Sequence, residues 1–239
     1  MAPLIRIGTA GWAVPRAVAA AFPADGSGLQ RYAARFACAE INTTFYRPHQ
    51  PKTFARWAET TPPGFRFAVK LPKAISHDAR LAGPLDALDA FLEQVVCLGD
   101  KLGPVLVQLP PGMPFDPEVA ARFMAALRER FDGPVAWEPR HPSWFEPEPD
   151  ALLRAHRIAR VAADPAKVPA AAEPGGWPGL AYWRWHGSPR MYWSSYEPPV
   201  LDALAERLKA SPAAEAWCVF DNTTSGAAAA NALSLAGRL

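Results

Sequence analysis

Charged and aromatic side chains alternate at the end of the segment Leu180-Ala181-Tyr182-Trp183-Arg184-Trp185-His186. Successive side chains of a β-strand point to opposite faces, so Arg184 and His186 share one face while Trp183 and Trp185 share the other. We expect the tryptophans to pack beneath helices and the other two side chains to lie where the strand ends. The segment therefore predicts a buried strand at 180–185 that leads into a polar site.

Seven further short apolar runs, rich in valine, isoleucine and aromatic residues, have the same character. They lie at residues 4–9, 38–42, 65–70, 104–109, 135–138, 158–163 and 216–221. Longer stretches with the spacing of helices separate them, which is the pattern of β/α units and a parallel sheet. Eight strands is the number that a closed (β/α)8 TIM-like barrel needs, and 239 residues is close to its typical length of roughly 250. The sequence predicts such a barrel as a single α/β domain over residues 1–239.

The crossover after the sixth strand breaks the regular pattern. Residues 164–179 contain prolines at 165, 169, 174 and 178 and glycines at 175, 176 and 179. No ordinary helix tolerates this density of helix-breaking residues, so we expect the barrel to be irregular here. The alternative, an open doubly wound sheet, usually has a glycine-rich phosphate turn after its first strand. Gly8-Thr9-Ala10-Gly11-Trp12 lacks the G-x-G-x-x-G pattern of that turn, which favours the barrel.

The composition argues against several classes of protein. The 25 basic and 23 acidic residues nearly balance, which argues against a general binder of nucleic acid or of membrane surfaces. Cys38, Cys97 and Cys218 lie in apolar runs without C-x-x-C spacing, so we interpret them as small core residues in a reducing compartment. The apolar run at 17–22 is too short for a signal segment, which needs about 7–15 residues. These features predict a cytoplasmic protein that does not cross a membrane.

Polar side chains occur where the predicted strands end. Glu40 and Asn42 share a face at the end of the second strand, and Glu138 and Arg140 share a face at the end of the fifth. Further polar residues at strand ends are Thr9, Lys70, Gln108, Asp164, Asp221 and Asn222. The carboxyl ends of barrel strands surround one mouth, where barrel enzymes have their active sites. Buried charges must compensate one another, so we expect either a functional pocket or, as the alternative, a structural ion-pair network.

A series of short motifs runs through nearly the whole chain. They are Ile7-Gly8-Thr9-Ala10-Gly11-Trp12, Glu40-Ile41-Asn42-Thr43-Thr44-Phe45-Tyr46, Trp57 with Thr61-Pro62, Phe67-Ala68-Val69-Lys70, Ser76-His77, Gln108-Leu109-Pro110-Pro111, Glu138-Pro139-Arg140-His141-Pro142-Ser143-Trp144, Arg184-Trp185-His186-Gly187 and Phe220-Asp221-Asn222-Thr223. In these motifs the chain resembles the YecE-like family, domain of unknown function 72. The resemblance implies a barrel fold and no particular activity. The chain departs from the family pattern at Ala10, where serine is expected, and at Ser76, where threonine is usual.

Glu40 and Glu138 come from strands that are not neighbours, so their carboxylates can face each other across the mouth. Two carboxylates in one pocket can divide the roles of acid and base, because their proximity separates their pKa values. With His186 as a proton shuttle or polariser, this set predicts an enzyme that catalyses hydrolysis or isomerisation. In the alternative interpretation each carboxylate neutralises an arginine, Glu138 with Arg140 or Glu40 with Arg184.

A basic cluster of Lys70, Arg140 and Arg184 predicts that the pocket binds an anion. The loops at 187–188 and 222–226 follow the seventh and eighth strands, where barrel enzymes often bind phosphate. We expect free backbone N–H groups of 222–226 to point at the rim, or, as the alternative, this segment to be an ordinary helix cap. The predicted substrate is small and anionic, sugar-like or phosphorylated. The other residues assigned to substrate binding are Asn42, Tyr46, His77, Gln108, His141, Asp221 and Asn222.

Two alternatives stay open. First, the mouth offers ligand types that suit a divalent metal such as Zn²⁺ or Mn²⁺, although no H-x-x-x-H or H-E-x-x-H spacing favours such a site. These ligands are His141, His186, Glu40, Glu138 and Asp221. Second, loop aromatics such as Trp12 and Tyr192 suit a non-catalytic protein that binds a nucleotide or single-stranded nucleic acid, which the nearly neutral net charge does not favour. His49 and His156 are interpreted as surface or helix-packing residues without chemistry.

Overall fold

The computed structural model describes residues 2–239, in which strands and helices alternate. The strands are β1 (Leu4–Thr9), β2 (Cys38–Ile41), β3 (Arg66–Lys70), β4 (Leu102–Gln108), β5 (Val135–Glu138), β6 (Ala159–Arg160), β7 (Ala162–Asp164), β8 (Gly175–Gly176), β9 (Leu180–Trp185) and β10 (Glu215–Phe220). The α-helices are α1 (Gly28–Ala33), α2 (Pro51–Thr60), α3 (Asp86–Val95), α4 (Pro117–Arg130), α5 (Pro147–Ala155), α6 (Pro198–Lys209) and α7 (Ala227–Ala236). Among residues 2–239, none of the helices combines the length and the apolar character needed to cross a membrane.

The strands form two sheets, and parallel pairing dominates both. One sheet has the order β1-β10-β9-β7, and the other has the order β2-β3-β4-β5-β6-β8. An isolated bridge between Ala10 and Glu40 connects an edge of one sheet to an edge of the other. The prediction of a closed eight-stranded barrel is therefore confirmed only in its coarser part, a mixed α/β fold with parallel sheets. Over residues 2–239 the structure shows two sheets in place of one closed barrel.

The predicted sixth strand is the place where the two sheets separate. Ala159–Arg160 pairs with β5, whereas Ala162–Asp164 pairs with β9, so one continuous run contributes a strand to each sheet. The crossover that follows has no α-helix between Asp164 and Leu180, and contains a 3₁₀ turn at Pro169–Ala172 and the short strand β8. This irregular crossover confirms what the proline and glycine content predicts.

Apolar side chains are buried on both faces of the strands. The larger cluster includes helix residues together with Trp183 and Trp185, the strand residues expected to pack beneath helices. A second, smaller cluster contains Cys38, Ala68, Leu106, Ala136, Ala159, Val161, Leu180, Tyr182, Trp217 and Val219. Within β2, β3, β5 and β9 these residues lie two positions before a polar residue at or near the strand end. The face that holds the second cluster therefore continues into the polar site.

Candidate active site

Arg184 is the centre of a buried charge network at the carboxyl ends of the strands. Its Nε lies 3.1 Å and 3.0 Å from the two carboxylate oxygens of Glu40, and its Nη2 lies 2.7 Å from Glu40 Oε1. Its Nη1 lies 3.1 Å from Glu138 Oε2, and its Nη2 lies 2.9 Å from Asp221 Oδ2. Burial alone lowers the pKa of Arg184, but the three carboxylates outweigh burial and raise it well above its usual value.

Glu138 is surrounded by donors. Its Oε1 lies 2.7 Å from Arg140 Nη2 and 2.9 Å from His186 Nε2, and the side chain of Gln108 donates to its Oε2 across 3.2 Å. Burial favours the neutral acid, but the charges of Arg140 and Arg184 outweigh burial and hold the pKa of Glu138 well below its usual value. Glu138 is therefore ionised at neutral pH and is a poor proton donor.

His186 makes contacts that require two different proton arrangements. Its Nδ1 lies 3.1 Å from Asp221 Oδ2, while its Nε2 lies 2.9 Å from Glu138 Oε1 and 2.8 Å from Arg140 Nη2. A protonated Nε2 donates to Glu138, whereas a bare Nε2 accepts from Arg140, and one nitrogen cannot do both at once. His186 thus contacts Asp221, Glu138 and Arg140 through its two ring nitrogens. We call this cluster the Arg184 network; its members are Arg184, Glu40, Glu138, Asp221, Arg140 and His186.

Tyr182 contacts the Arg184 network, although no role is predicted for it from the sequence. Its hydroxyl donates to Glu40 Oε2 across 2.9 Å, and burial, followed by the charge of Glu40, raises its pKa well above the usual value. Tyr182 stands two residues before Arg184 on β9, so the two-residue period of the strand was the signal that pointed to it. With Arg184 on both carboxylate oxygens and Tyr182 on one, Glu40 has the surroundings of an ion-pair partner.

A cavity of about 780 Å³ opens beside the network, and we call it the mouth cavity. Its lining includes Trp12, Asn42, Tyr46, Lys70, Asp221 and Thr223. The Oδ1 atom of Asn42 accepts from Arg184 Nη2 at 3.4 Å, so Asn42 links the network to the cavity. His49 packs against Phe54 and Trp57 of α2, as its interpretation as a helix-packing residue predicts, and it also lines the cavity.

Lys70 differs from the charges of the network because its amine has no charged partner. The residue is only 8 % exposed, and its Nζ lies 4.1 Å from the centre of the Phe45 ring, in a cation–π contact. Within residues 2–239 this Nζ has no hydrogen bond or ion pair, and it is not one of the buried side-chain atoms left without a partner, so the amine itself reaches the open mouth cavity. Burial, and then the charge of Arg184, lower the pKa of Lys70 to about 8, although the network carboxylates oppose this shift. A desolvated lysine of this kind can serve as a base or a nucleophile.

His77 lies on the Lys70 side of the mouth. Its Nδ1 is 3.0 Å from Ser76 Oγ, and its ring meets the ring of Phe45 edge to face at 4.9 Å. Burial, followed by the charge of Lys70, lowers the pKa of His77. The structure therefore places His77 and Lys70 against the same aromatic ring.

Two residues assigned to the substrate are engaged elsewhere. The Nδ1 of His141 lies 2.9 Å from Ser143 Oγ and accepts from the backbone N–H of Ser143, so His141 caps the short 3₁₀ helix Pro142–Phe145. The side-chain amide of Asn222 donates to Asn231 Oδ1 across 2.8 Å and ties its loop to α7. Neither contact belongs to the Arg184 network. The partner of His141 is in the short helix that it caps, and the partner of Asn222 is in the helix that follows its loop.

Some backbone N–H groups after β9 and β10 are used within the loops. The N–H of Gly187 donates to the hydroxyl of Tyr196 across 2.7 Å, and the N–H of Thr224 donates to the carbonyl oxygen of Tyr192 across 3.0 Å. The ring of Tyr192 lies 5.5 Å from that of His186. The expectation of a free N–H group is therefore wrong for Thr224, because the loop after β9 folds back over the network and accepts its hydrogen bond.

The metal ligand types named from the sequence are not gathered into a metal-binding arrangement. Within residues 2–239, no group of three or more histidine, cysteine, aspartate or glutamate side chains has the arrangement to hold a metal ion. All three cysteines are free, and Cys38 and Cys218 are buried.

Residues 6–239 match the model of a family described as "Protein of unknown function DUF72". The chain belongs to this family. The resemblance of its motifs to the YecE-like, DUF72 proteins is thereby confirmed.

Two curated proteins show how far the similarity of this DUF72 chain extends. It is 34% identical over 143 residues to the UPF0759 protein YecE of Escherichia coli (strain K12), covering 59% of this chain and 50% of that protein. It is 29% identical over 150 residues to the UPF0759 protein YunF of Bacillus subtilis (strain 168), covering 60% of this chain and 53% of that protein. The chain thus spans about half the length of the curated relatives it matches.

Crystal structures of DUF72 proteins share its fold. One from Enterococcus faecalis V583 matches with a TM-score of 0.82 and 24% identity, over 99% of this chain and 95% of that chain. Another, from Thermotoga maritima MSB8, matches with a TM-score of 0.78 and 26% identity, over 98% of each chain. The mixed α/β fold is therefore that of DUF72 proteins of known structure.

Proposed function

We propose that this DUF72 protein is an enzyme that performs acid–base chemistry, an isomerisation or a hydrolysis, on a small anionic or sugar-like substrate in the mouth cavity. One observation carries the proposal. The charges of the Arg184 network are paired with one another, whereas the buried amine of Lys70 lines the cavity without a charged partner among residues 2–239. A shifted titratable group in a concave pocket is the usual sign of a reactive site.

We assign different roles to Lys70 and to the paired charges of the Arg184 network. Lys70 contacts the substrate and takes or holds a proton there. Asp221 lines the cavity and lies 3.1 Å from His186 Nδ1, so it connects His186 to the substrate. Glu40 and Glu138 fix the position of Arg184. The hypothesis that Glu40 and Glu138 divide acid and base roles stays a prediction, and the lowered pKa of Glu138 argues for ion pairing instead.

We also infer that the two sheets are two arcs of one (β/α)8 barrel. The bridge between Ala10 and Glu40 supports closure on one side, and the single residue Val161 between β6 and β7 supports it on the other. The second apolar cluster takes residues from strands of both sheets, as the interior of a barrel does. In this arrangement the mouth cavity lies at the face where barrel enzymes have their active sites.

Binding is tested by a thermal-shift titration with inorganic phosphate, glucose 6-phosphate and gluconate. Thr223→Trp adds an indole at an exposed position of the mouth cavity, and Ala210→Trp adds one at an exposed position of a second cavity of about 480 Å³. We expect at least one probe to raise the melting temperature of the wild type and of Ala210→Trp, and to have no effect on Thr223→Trp. No shift with any probe, or a shift lost only in Ala210→Trp, contradicts the proposal.

Catalysis is tested with the probes that bind, in D₂O, by proton NMR. An isomerase exchanges a C–H proton of its substrate for deuterium, and a hydrolase releases a new product. We expect the wild type to do one of these, Lys70→Met to lose it, and Lys73→Met to retain it. Lys73 is the matched control because it lies three residues further on, is half-exposed and pairs with Asp78 across 2.7 Å. Binding without any exchange or product contradicts an enzymatic role.

A second candidate function is the non-catalytic binding of a nucleotide or single-stranded nucleic acid. It is favoured by exposed aromatic rings near the mouth, since Tyr46 is 79% exposed and the guanidinium of Arg190 lies 4.5 Å from the ring centre of Trp193. Single-stranded binding proteins use this combination of stacking and positive charge. A salt titration with a single-stranded oligonucleotide separates the two candidates, because contacts to the phosphate backbone weaken steeply with salt.

A further inference from the structure

The surroundings of Lys70 also indicate what kind of substrate the mouth cavity takes. We propose that the amine of Lys70 forms an imine with an aldehyde or ketone group of the substrate. This inference deepens the proposed function and rests on it.

The first argument is the position of the amine. Lys70 is the last residue of β3, and its backbone carbonyl oxygen accepts a hydrogen bond of 2.7 Å from Thr44 Oγ1, so the base of the side chain is held by buried groups. Its Nζ lies against the face of Phe45 and lines the mouth cavity. A lysine that serves only to neutralise charge lies on a carboxylate, whereas this one presents its nitrogen to an aromatic ring and to an open volume.

The second argument is the charge around the amine. Arg184 is part of the same mouth and its positive charge disfavours a second cation nearby. The carboxylates of Glu40 and Glu138 are already paired with arginines, which reduces their effect on Lys70. Burial, followed by the charge of Arg184, lowers the pKa of Lys70 to about 8, so about one tenth of the amine at pH 7 and half at pH 8 carries the free electron pair that a nucleophile needs. An anion-binding lysine, in contrast, needs its proton.

The proposed step is balanced without an oxidant, a reductant or another co-reactant. The electron pair of the neutral Nζ forms a C–N bond to the carbonyl carbon of the substrate. The two hydrogens of the amine then leave with the carbonyl oxygen as water, and a C=N bond replaces the C=O bond. Once protonated, the imine withdraws electrons from the adjacent C–H bond, which makes proton abstraction there easier. An isomerisation through that carbon is the reaction that such an intermediate supports best.

Reductive trapping tests the inference. The wild-type protein is incubated with pyruvate or with glyceraldehyde 3-phosphate in the presence of sodium cyanoborohydride, which converts an imine into a stable secondary amine. Intact-mass measurement and peptide mapping then locate the adduct. At pH 8 a lysine with a pKa of about 8 is half neutral, whereas an ordinary lysine is less than about 1 % neutral, so we expect labelling of Lys70 to exceed that of Lys73 by roughly tenfold or more.

Two matched variants and a pH series complete the test. We expect Lys70→Met to lose the dominant adduct, Lys73→Met to keep it, and the labelling rate at Lys70 to rise with a midpoint near pH 8. Equal labelling of Lys70 and Lys73, or an unchanged adduct in a folded Lys70→Met variant, overturns the inference. Conversion of a substrate in D₂O without any trapped adduct also overturns it, but leaves the proposed enzymatic function standing. If no small anion or sugar binds in the mouth cavity, the proposed function fails first.

Discussion

Buried charges are paired on one side of the mouth and unpaired on the other. On one side, Arg184 contacts the carboxylates of Glu40, Glu138 and Asp221, and each of these pairs is between 2.7 and 3.1 Å long. On the other side, Lys70 is almost as deeply buried but rests on the ring of Phe45 and borders the mouth cavity. Both sides lie at strand ends, and both carry positive charge.

This difference in pairing indicates which groups of a crowded polar site are candidates for chemistry. A buried charge that is paired keeps its protonation state over a wide pH range, because its partners stabilise the ionised form. Removing one partner is strongly destabilising. A buried charge without a partner has a shifted pKa, and groups of this kind cluster at functional sites. The paired side therefore holds the site together, and the proposed chemistry is assigned to the unpaired side.

The largest change in stability is expected from a substitution in the Arg184 network. Arg184→Ala leaves three carboxylates without their shared partner, so we expect the free energy of unfolding to fall by about 3–5 kcal/mol in a urea titration. Arg154→Ala is the control, because its side chain is 61% exposed and its pair with Asp150 is worth about 0–1 kcal/mol. Similar small losses in both variants would show that the Arg184 network is solvated, and the contrast between the two sides would disappear.

The next effect depends on pH. The pKa of Glu138 in the folded state lies well below the usual 4.5, so its ionisation stabilises the fold above that pH, and this contribution is lost as the pH falls towards the folded-state pKa. We expect Glu138→Gln to lower the free energy of unfolding by about 2–3 kcal/mol at neutral pH, as expected for hydrogen bonds to a charged group. The difference from wild type, measured by urea unfolding, should shrink below pH 4.5.

The exposed Glu129 provides the control for this pH dependence. Its side chain is 73% exposed, so Glu129→Gln should change stability by less than about 0.5 kcal/mol. A difference between Glu138→Gln and wild type that grows as the pH falls would contradict the pairing of Glu138 with Arg140 and Arg184.

The strands were the easiest part to predict from the sequence. The runs 4–9, 135–138 and 180–185 coincide with β1, β5 and β9, because a buried strand needs a continuous apolar run with a two-residue period. The division of 158–163 into β6 and β7 was not predictable. It depends on which neighbour each half pairs with, and a local pattern contains no information about that neighbour.

The membership of the site was predictable, and its pairing was predictable only as one of two interpretations. Glu40, Arg184 and Asp221 were identified because they follow or end apolar runs, and the structure brings them together. The alternative interpretation named the pairs Glu40–Arg184 and Glu138–Arg140, which the structure contains. Glu40 and Arg184 are 144 residues apart, so local spacing could not decide between ion pairs and unpaired carboxylates. The assignment of His141 to the substrate stays a prediction, while its Nδ1 forms a local cap with Ser143.

The smallest effect, and the one that best separates the two sides, has the opposite sign. The pKa of Lys70 in the folded state is about 8, below its usual 10.5, so at pH 7 a protonated amine is buried unfavourably. We expect Lys70→Met to raise the free energy of unfolding by about 1 kcal/mol at neutral pH in a urea titration, and Lys73→Met to change it by less than about 0.5 kcal/mol. Between pH 8 and 10.5 the unfolded chain binds the proton more strongly than the folded one, so wild-type stability should rise relative to Lys70→Met and the advantage of the variant should vanish. If Lys70→Met is instead less stable at pH 7, the amine is a structural cation like those of the Arg184 network, and the reactive side of the mouth does not exist.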